Sequence, residues 1–339
     1  MSTWNQYKDS YRVIRDDTLF GLKHLYESPA ISGLMLGKDY LSVLDAGRDL
    51  GNLVNGALQM KANRGFDQRK LLDGKTLALV FEKSSTRTRV SFEVAMTHLG
   101  GQTLFLNAQD LQLGRGETIA DTARVLSRYV DCIAYRAFRH EMVLELATNA
   151  NIPVINALDD LEHPCQALAD IMTILEKKDK SAGINVAYVG DGNNVCNSLL
   201  LACVLSGFNI MAGCPEDYMP DEGVLSEAKR LASESGVSCE VVDEATEAAR
   251  DADILYTDVW ISMGDETESE KRLDALRDFQ VNSSLLSHAS PDCLVMHCLP
   301  AHRGQEITNE VIDGPQSIVL DQAENRLHAQ KALLLALLK

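Results

Sequence analysis

Short apolar runs alternate with helix-like segments along most of the chain, and this alternation constrains the fold more than any other feature. Runs with the β-branched content of buried strands lie at 76–81, 103–107, 132–136, 152–156, 184–190, 208–213, 237–243, 253–258 and 293–298. The segments between them, such as 87–99, 117–130 and 140–150, have the pattern of helices. Strands that are apolar on both faces and separated by helices form parallel sheets between helical layers. The sequence therefore predicts an α/β protein with mainly parallel sheets covered by helices on both faces.

Two domains are predicted because the alternation restarts after a polar segment. That segment, KKDKSAG at 177–183, interrupts the apolar pattern, and 339 residues are enough for about two domains. We place the first domain at 1–180 and the second at 181–320, each with its own parallel sheet. The last segment, 321–339, has the pattern of an apolar helix that packs back onto the first domain.

Net charge and composition exclude several classes of partner. Lys and Arg number 32 against 49 Asp and Glu, a net charge of −17, so phosphate backbones and anionic membrane surfaces repel the chain. No apolar stretch reaches the about 20 residues that a membrane span needs, and the N-terminus lacks the apolar segment of a secretory signal. The 8 cysteines contain no CxxC pair, which favours reduced thiols in the cytoplasm over disulfides or a zinc site. We expect no nucleic acid, membrane or metal partner.

The segment FEKSSTRTRVSFE at 81–93 has the pattern of an anion-binding helix start. A buried strand ends where it begins, and a helix follows whose first N–H groups have no helical acceptor. Ser85, Thr86 and Thr88 add hydroxyl donors, and Arg87 adds a planar fork suited to a phosphate. The spacing of a nucleoside-triphosphate loop is missing. The segment predicts a cradle for a small phosphate; the alternative is a capped helix with surface arginines.

Two further strand ends carry polar groups that could bind a ligand. Arg136 ends the run CIAYR, and EHPCQ at 162–166 follows the next strand. Pro164 favours a helix start, which makes His163 a cap and places Gln166 on the same face. His163 and Gln166 could then both donate to a carbonyl oxygen, and Arg136 lies at the carboxyl end of a strand, where open α/β sheets bind their ligands. The alternative is a histidine that only caps its helix.

In the second domain, the strand ends carry a different set of polar residues. The loop GDGNNVCNS follows a strand, but Val195 stands where a dinucleotide-binding loop has its third glycine. Asn193 and Asn194 offer amides to a polar ligand instead. Asp258 and Cys298 lie at the ends of two other strands, and for each of them the alternative is simple packing.

Taken together, STRTR, HPCQ, DVWISMG and HCLP resemble, in identity and order, the motifs of the ornithine carbamoyltransferase family. The resemblance extends from about residue 75 to the C-terminus. STRTR and HPxQ are shared by the wider carbamoyltransferase family, whereas aspartate-specific members carry HPLPR in place of HCLP and putrescine-specific members differ at SMG. The resemblance implies transfer of the carbamoyl group of carbamoyl phosphate to the δ-amine of L-ornithine, giving L-citrulline and phosphate, without a cofactor or metal.

The resemblance also implies a role for each residue that matches a motif. Carbamoyl phosphate is expected to bind Ser85, Thr86, Arg87, Thr88, Gln112, Arg136, His163, Gln166, Cys298, Leu299 and Arg326. Gln112 is expected to enter the site of a neighbouring subunit, in a homotrimer or a multiple of trimers. Ornithine is expected to bind Asn194, Asp258, Ser262 and Met263. The catalytic set is expected to be Arg136, His163, Gln166, Asp258 and Cys298, with a Cys298 thiolate as acceptor of the amine proton.

Two alternatives stay open at this point. One is a carbamoyltransferase for another amine, such as putrescine or a modified ornithine. The other is a non-catalytic regulatory binder, which should have lost some of the polar residues that this chain retains at its motifs. The resemblance implies arginine biosynthesis, while the residues leave open the direction of use in the cell and the role of 1–35.

Overall fold

Two compact units make up the described part of the chain in the computed structural model. The structure describes residues 31–62, 71–112, 116–178, 180–261 and 269–339. These residues fall into a first unit, drawn from 31–176 with 323–339, and a second unit, drawn from 177–322. Each unit contains one parallel sheet.

The elements are numbered in chain order. The strands are β1 Thr76–Phe81, β2 Gln102–Asn107, β3 Cys132–Arg136, β4 Val154–Leu158, β5 Asn185–Val189, β6 Asn209–Gly213, β7 Cys239–Val242, β8 Ile254–Thr257 and β9 Leu294–His297. The helices are α1 Leu50–Ala62, α2 Thr86–Leu99, α3 Ile119–Leu126, α4 His140–Asn149, α5 Pro164–Lys177, α6 Asn194–Leu205, α7 Glu222–Ser235, α8 Ala245–Ala249, α9 Ser269–Leu276, α10 Ser283–Leu286, α11 Asn309–Ile312 and α12 Val319–Leu338.

The sheet of the first unit has the strand order β2-β1-β3-β4, with every neighbouring pair parallel. The central strands β1 and β3 are buried almost throughout, as their continuous apolar runs require. α2 follows β1 and ends at Gly100, whose φ of 89° lies in the left-handed region that terminates helices. Because the strands are parallel, the carboxyl ends of β1, β3 and β4 lie side by side at one edge of the sheet.

The C-terminal part of α12 is buried in the first unit. Residues 332–338 are at most 8% exposed. The N–H of Met35 donates to the carbonyl of Ala336, and the N–H of Gly37 to that of Leu337, both at 3.2 Å. These bonds hold the C-terminal end of α12 in place within the first unit.

The sheet of the second unit has the order β7-β6-β5-β8-β9, again with parallel neighbours. The chain order reverses beside β5, and open α/β sheets bind ligands at such a reversal. α6 begins there, capped by Asn193, whose side-chain oxygen accepts the N–H groups of Val195 and Cys196 at 2.9 and 3.2 Å.

The predicted fold class is confirmed, and the strand boundaries lie within two residues of the predicted ones. β4 shows the largest displacement, beginning at Val154 rather than at 152. Pro153, just before it, has no N–H to donate to a ladder, although its carbonyl accepts the N–H of Ile133 at 3.0 Å. The helix predicted at 117–130 is shorter, because Thr118 caps it and it ends at Leu126. None of the described helices combines the length and hydropathy that a bilayer crossing requires.

Candidate active site

The predicted phosphate cradle lies where β1 is followed by α2. Ser85 caps this helix by accepting the N–H of Thr88 at 3.3 Å. Thr86 is exposed, Ser85 and Arg87 are half-buried, and Thr88 is buried. The positive end of the helix dipole, three hydroxyl groups and a guanidinium therefore occupy one place, which is an arrangement that binds anions.

Arg326 of α12 joins this cradle to α5. Its Nη1 donates to Oε1 of Gln166 at 2.5 Å, and its Nη2 donates to Oγ1 of Thr88 at 3.2 Å. Gln166 in turn donates through Nε2 to Oδ1 of Asp170 at 2.8 Å. Arg326, Gln166 and Thr88 are at most 3% exposed. A guanidinium buried this deeply interacts with a bound anion more strongly than one in water does.

Burial and three guanidinium groups together favour the neutral form of His163. His163 precedes α5 and is 5% exposed. Burial, followed by the positive charges of Arg326, Arg136 and Arg87, lowers the pKa of His163 well below its ordinary value. These three charges thus act on one ring, although they come from distant parts of the sequence. A neutral imidazole donates one hydrogen bond to a carbonyl oxygen, while the surrounding cations attract negative charge.

Asp159 organises the loop that carries His163, and no sequence motif singled it out. Its buried carboxylate accepts the N–H groups of Leu161 and Glu162 at 2.9 and 2.7 Å and binds Nδ1 of His140 at 2.7 Å. Burial by itself lowers the pKa of His140, but the hydrogen bond and charge of Asp159, with other nearby acidic groups, outweigh it and raise the net pKa. Protonated His140 and Asp159 therefore form an ion pair between the start of α4 and the loop before α5.

The second unit brings Asn193, Asp258 and Cys298 together at the carboxyl ends of β5, β8 and β9. Nδ2 of Asn193 donates to Oδ2 of Asp258 at 3.0 Å, and the Cys298 thiol donates to Oδ1 of Asp258 at 2.8 Å. Asp258 is 4% exposed, and Asn194 lies beside Asn193 as the first residue of α6. A thiolate next to this carboxylate would be repelled. In this contact the thiol is the donor and the carboxylate is the acceptor, and the expected thiolate stays a prediction.

A buried histidine–glutamate pair supports the turn that follows Cys298. Nε2 of His297 lies 3.1 Å from Oε1 of Glu306, and its Nδ1 accepts the N–H of Leu299 at 2.9 Å. Leu299 has a φ of 58°, and the peptide bond after it is cis. The ligand atoms of Asp258, His297 and Cys298 lie within 4.8 Å of one another. Both ring nitrogens of His297 already have partners, so a metal ion at this group would have to displace one of them.

The predicted site residues divide between the two units. The first unit contains Ser85, Thr86, Arg87, Thr88, Gln112, Arg136, His163, Gln166 and Arg326, and the second contains Asn194, Asp258, Cys298 and Leu299. Cys298 and Leu299, expected to bind carbamoyl phosphate, thus belong to a different unit from the cradle. Gln112 is exposed on the segment after β2, and Ser262 and Met263 lie outside the described residues.

The first α/β unit contains a buried, positively charged site that suits an anion. The second contains hydrogen-bonded amide, carboxylate and thiol groups. This combination fits the class of group-transfer enzymes that act on a small anion and a polar second substrate. Residues 38–176 match the carbamoyl-P binding domain of the aspartate/ornithine carbamoyltransferases, and residues 182–337 match their Asp/Orn binding domain. The chain belongs to the aspartate/ornithine carbamoyltransferase family and is a carbamoyltransferase.

Similar proteins over most of the chain are named ornithine carbamoyltransferase. The anabolic enzyme of Pyrococcus furiosus is 56% identical over 302 residues, which are 88% of this chain and 96% of that protein. The catabolic enzyme of Thermoplasma volcanium is 50% identical over 304 residues, 90% and 99% of the two chains. A solved structure of ornithine carbamoyltransferase from Pyrococcus furiosus matches with a TM-score of 0.86, covering 89% of this chain and 97% of its own at 56% identity. The family expected from the motifs is thereby confirmed.

Proposed function

We propose that the chain transfers the carbamoyl group of carbamoyl phosphate to the δ-amine of L-ornithine, giving L-citrulline and phosphate. The observation that supports this most directly is the convergence of the Arg87, Arg136 and Arg326 charges on the buried, neutral His163. A phosphate dianion next to a carbonyl oxygen that gains negative charge is the kind of substrate such a site stabilises. We assign carbamoyl phosphate to the first unit and ornithine to the second.

The phosphate group is assigned to the cradle, where Arg87 binds two of its oxygens and the hydroxyl groups of α2 bind the rest. The carbonyl oxygen is assigned to Arg136, His163 and the second N–H of the Gln166 amide. When the amine attacks, negative charge grows on that oxygen, and donors already in place stabilise the transition state more than the bound substrate. The phosphate then leaves as an anion that the cradle still holds.

Ornithine is assigned to the second unit through two contacts. The amides at the start of α6 donate to its α-carboxylate, and the carboxylate of Asp258 accepts from its α-ammonium. The δ-amine has a pKa near that of lysine, about 10.4, and a desolvated site helps it lose a proton. We assign that proton to a relay. It moves from the amine to Sγ of Cys298 while the thiol proton moves to Oδ1 of Asp258, so that the thiol is restored and no free thiolate forms.

The substrate-binding residues distinguish ornithine from the other amines. Putrescine carries the same reacting amine but lacks the α-carboxylate and the α-ammonium. It would forgo the bonds that ornithine is assigned with the Asn194 amide and the Asp258 carboxylate, and bonds between charged groups and polar partners contribute about 1.5–3 kcal/mol each. A non-catalytic regulatory binder is disfavoured, because the cationic group around His163 is complete.

We further propose that the protein is a cytoplasmic homotrimer, or a multiple of trimers, that works in arginine biosynthesis. Its greater identity to the anabolic than to the catabolic relative supports the biosynthetic direction. The exposed position of Gln112 suits a residue that enters a neighbouring subunit's site. Sedimentation equilibrium should give a multiple of three chains per particle, and a monomer would contradict the assembly.

Incubation of the purified protein with carbamoyl phosphate and a panel of amines tests the proposed reaction. We expect citrulline from ornithine, and a preference over putrescine in kcat/KM that reaches factors as high as about 10⁴. Comparable efficiency with both amines would move the assignment to another amine. A ureido product from none of them would contradict the proposal.

A further inference from the structure

We propose that Glu82 is a positioning residue that holds Arg136 against the carbonyl oxygen of carbamoyl phosphate. The proposal rests on the function proposed above, because it concerns the same half of the site. Glu82 is the first residue after β1, and Arg136 is the last residue of β3, the neighbouring strand. In this role Glu82 touches no substrate and acts through Arg136.

Three hydrogen bonds join Glu82 to Arg136 and to the residues on both sides of it. The backbone N–H of Glu82 donates to the carbonyl oxygen of Arg136 at 2.9 Å. Its Oε1 accepts the hydroxyl of Tyr135 at 2.9 Å, and its Oε2 accepts the N–H of Phe138 at 2.7 Å. One side chain therefore spans the segment that carries the Arg136 guanidinium and ties it to the loop that leads into the cradle.

This arrangement favours a carboxylate, because both of its partners donate to it. The ring of Tyr135 is buried, and burial, followed by the charge of Glu82, raises the pKa of Tyr135 above its ordinary value, so its hydroxyl stays a donor. A glutamine offers one oxygen and one NH2 group, so it can meet both partners only if its oxygen faces the N–H of Phe138 and the Tyr135 hydroxyl turns to accept from the NH2 group. Glu82→Gln therefore keeps the size of the side chain but replaces two charge-assisted bonds with weaker, neutral ones.

The titration of His163 reports where Arg136 lies. The charge of Arg136 is one of three that lower the pKa of His163, so displacement of Arg136 raises that pKa. Loss of the Glu82 charge by itself acts in the opposite direction, because a nearby carboxylate favours a protonated histidine. A rise in the pKa of His163 thus identifies movement of Arg136 rather than loss of charge.

Glu145→Gln is the matched control for Glu82→Gln. Glu145 is exposed on α4, and its charge also contributes to the raised pKa of Tyr135. The control therefore removes a carboxylate charge from the same neighbourhood and leaves the three bonds of Glu82 intact. We expect it to retain the wild-type kcat and Michaelis constants.

For Glu82→Gln we expect kcat to fall at least about tenfold, because a misplacement of about 1 Å in an active site can cost about 100-fold. The Michaelis constant for carbamoyl phosphate and the inhibition constant of inorganic phosphate should stay within about twofold, because the loss belongs to the transition state. Tyr135→Phe leaves the carboxylate and its charge-assisted bond to Phe138 in place and should reduce kcat less. In the Glu82→Gln background, Tyr135→Phe should reduce kcat by a smaller factor than it does in the wild type, since both changes act on one contact.

An NMR titration of His163 in the substrate-free protein gives a readout that needs no turnover. We expect its pKa to be higher in Glu82→Gln than in the wild type and in Glu145→Gln. A kcat and a His163 pKa like those of the control would overturn the inference. A loss of phosphate affinity as large as the loss of kcat would also overturn it, because that result indicates damage to the whole cradle. A wild type that forms no citrulline contradicts the proposed function alone, and the titration then still decides the role of Glu82.

Discussion

Replacing Arg326 with methionine removes the cation that joins α12 to the anion site. Arg326 is 3% exposed and donates to Gln166 and Thr88. Methionine keeps a flexible apolar stem of similar length, so the packing changes little while the charge and both hydrogen bonds are lost. Two results are expected: weaker binding of carbamoyl phosphate and a higher pKa of His163.

The size of both effects follows from the contacts. A hydrogen bond to a charged group contributes about 1.5–3 kcal/mol, which corresponds to an affinity loss of about 10- to 150-fold if one such bond to the substrate disappears. After burial, the charge of Arg326 lowers the pKa of His163 more than those of Arg136 and Arg87 do. Arg326→Met should therefore raise this pKa more than Arg87→Met.

Calorimetric titration with inorganic phosphate, the Michaelis constant for carbamoyl phosphate and an NMR titration of His163 measure these effects. Arg124→Met serves as control, because it removes the same charge from an exposed pair with Asp121 in the same unit. An affinity loss below about threefold, or a His163 pKa equal to that of the control, would refute the reasoning that the Arg326 charge acts on the anion site.

Other substitutions separate the remaining roles. Asp258→Asn should reduce the preference for ornithine over putrescine in kcat/KM, mainly by damaging ornithine use, and an unchanged preference would argue against pairing with the α-ammonium. Cys298→Ala should lower turnover far more than it raises the Michaelis constant for carbamoyl phosphate, whereas near-normal turnover would leave the thiol a packing role. His140→Gln should lower the melting temperature more at about pH 6 than at about pH 9. Because the folded pKa of His140 is raised, its ion pair with Asp159 is fully present below the unfolded value of about 6.5 and is lost as pH rises through the folded pKa. Equal losses at both pH values would show that the charge of His140 is not involved.

The strands could be predicted because buried parallel strands are apolar on both faces and therefore appear as continuous runs. Their ends depend on single residues that periodicity does not weigh. β4 begins directly after Pro153, which lacks an N–H, and the hydroxyl of Thr118 caps the start of α3. The prediction failed at such caps and breaks rather than in the interior of the elements.

The part of the site that could be predicted from sequence is the part whose groups are close along the chain. Residues 85–88 form one motif, and their common helix start is enough to place them. Glu82 and Tyr135 are 53 residues apart, and His140 and Asp159 are 19 apart. Their pairing depends on which strands are neighbours, and a hydrophobic pattern does not specify strand order. Before the partners are known, Glu82 and Asp159 have the pattern of solvated charges just after a strand.

A motif can also identify a residue without fixing its protonation. Cys298 and Asp258 were both expected in the site, but they are 40 residues apart, and only the structure places the thiol as a donor to the carboxylate at 2.8 Å. The local charge around a thiol decides whether it is a nucleophile, a base or a proton relay. That charge comes from tertiary contacts, which the sequence of the HCLP motif does not contain.

The three guanidinium groups that act on His163 also tie the stability of the first unit to the supply of its ligand. Like charges held close together repel each other, so an anion that binds between them relieves a cost of the native state itself. A ligand at about 100 times its Kd adds about 2.7 kcal/mol to the free energy of unfolding. Although the chain carries a net charge of −17, phosphate compounds should act on this unit as protectants. When cellular phosphate compounds run low, the enzyme loses substrate and part of its resistance to unfolding and proteolysis at the same moment.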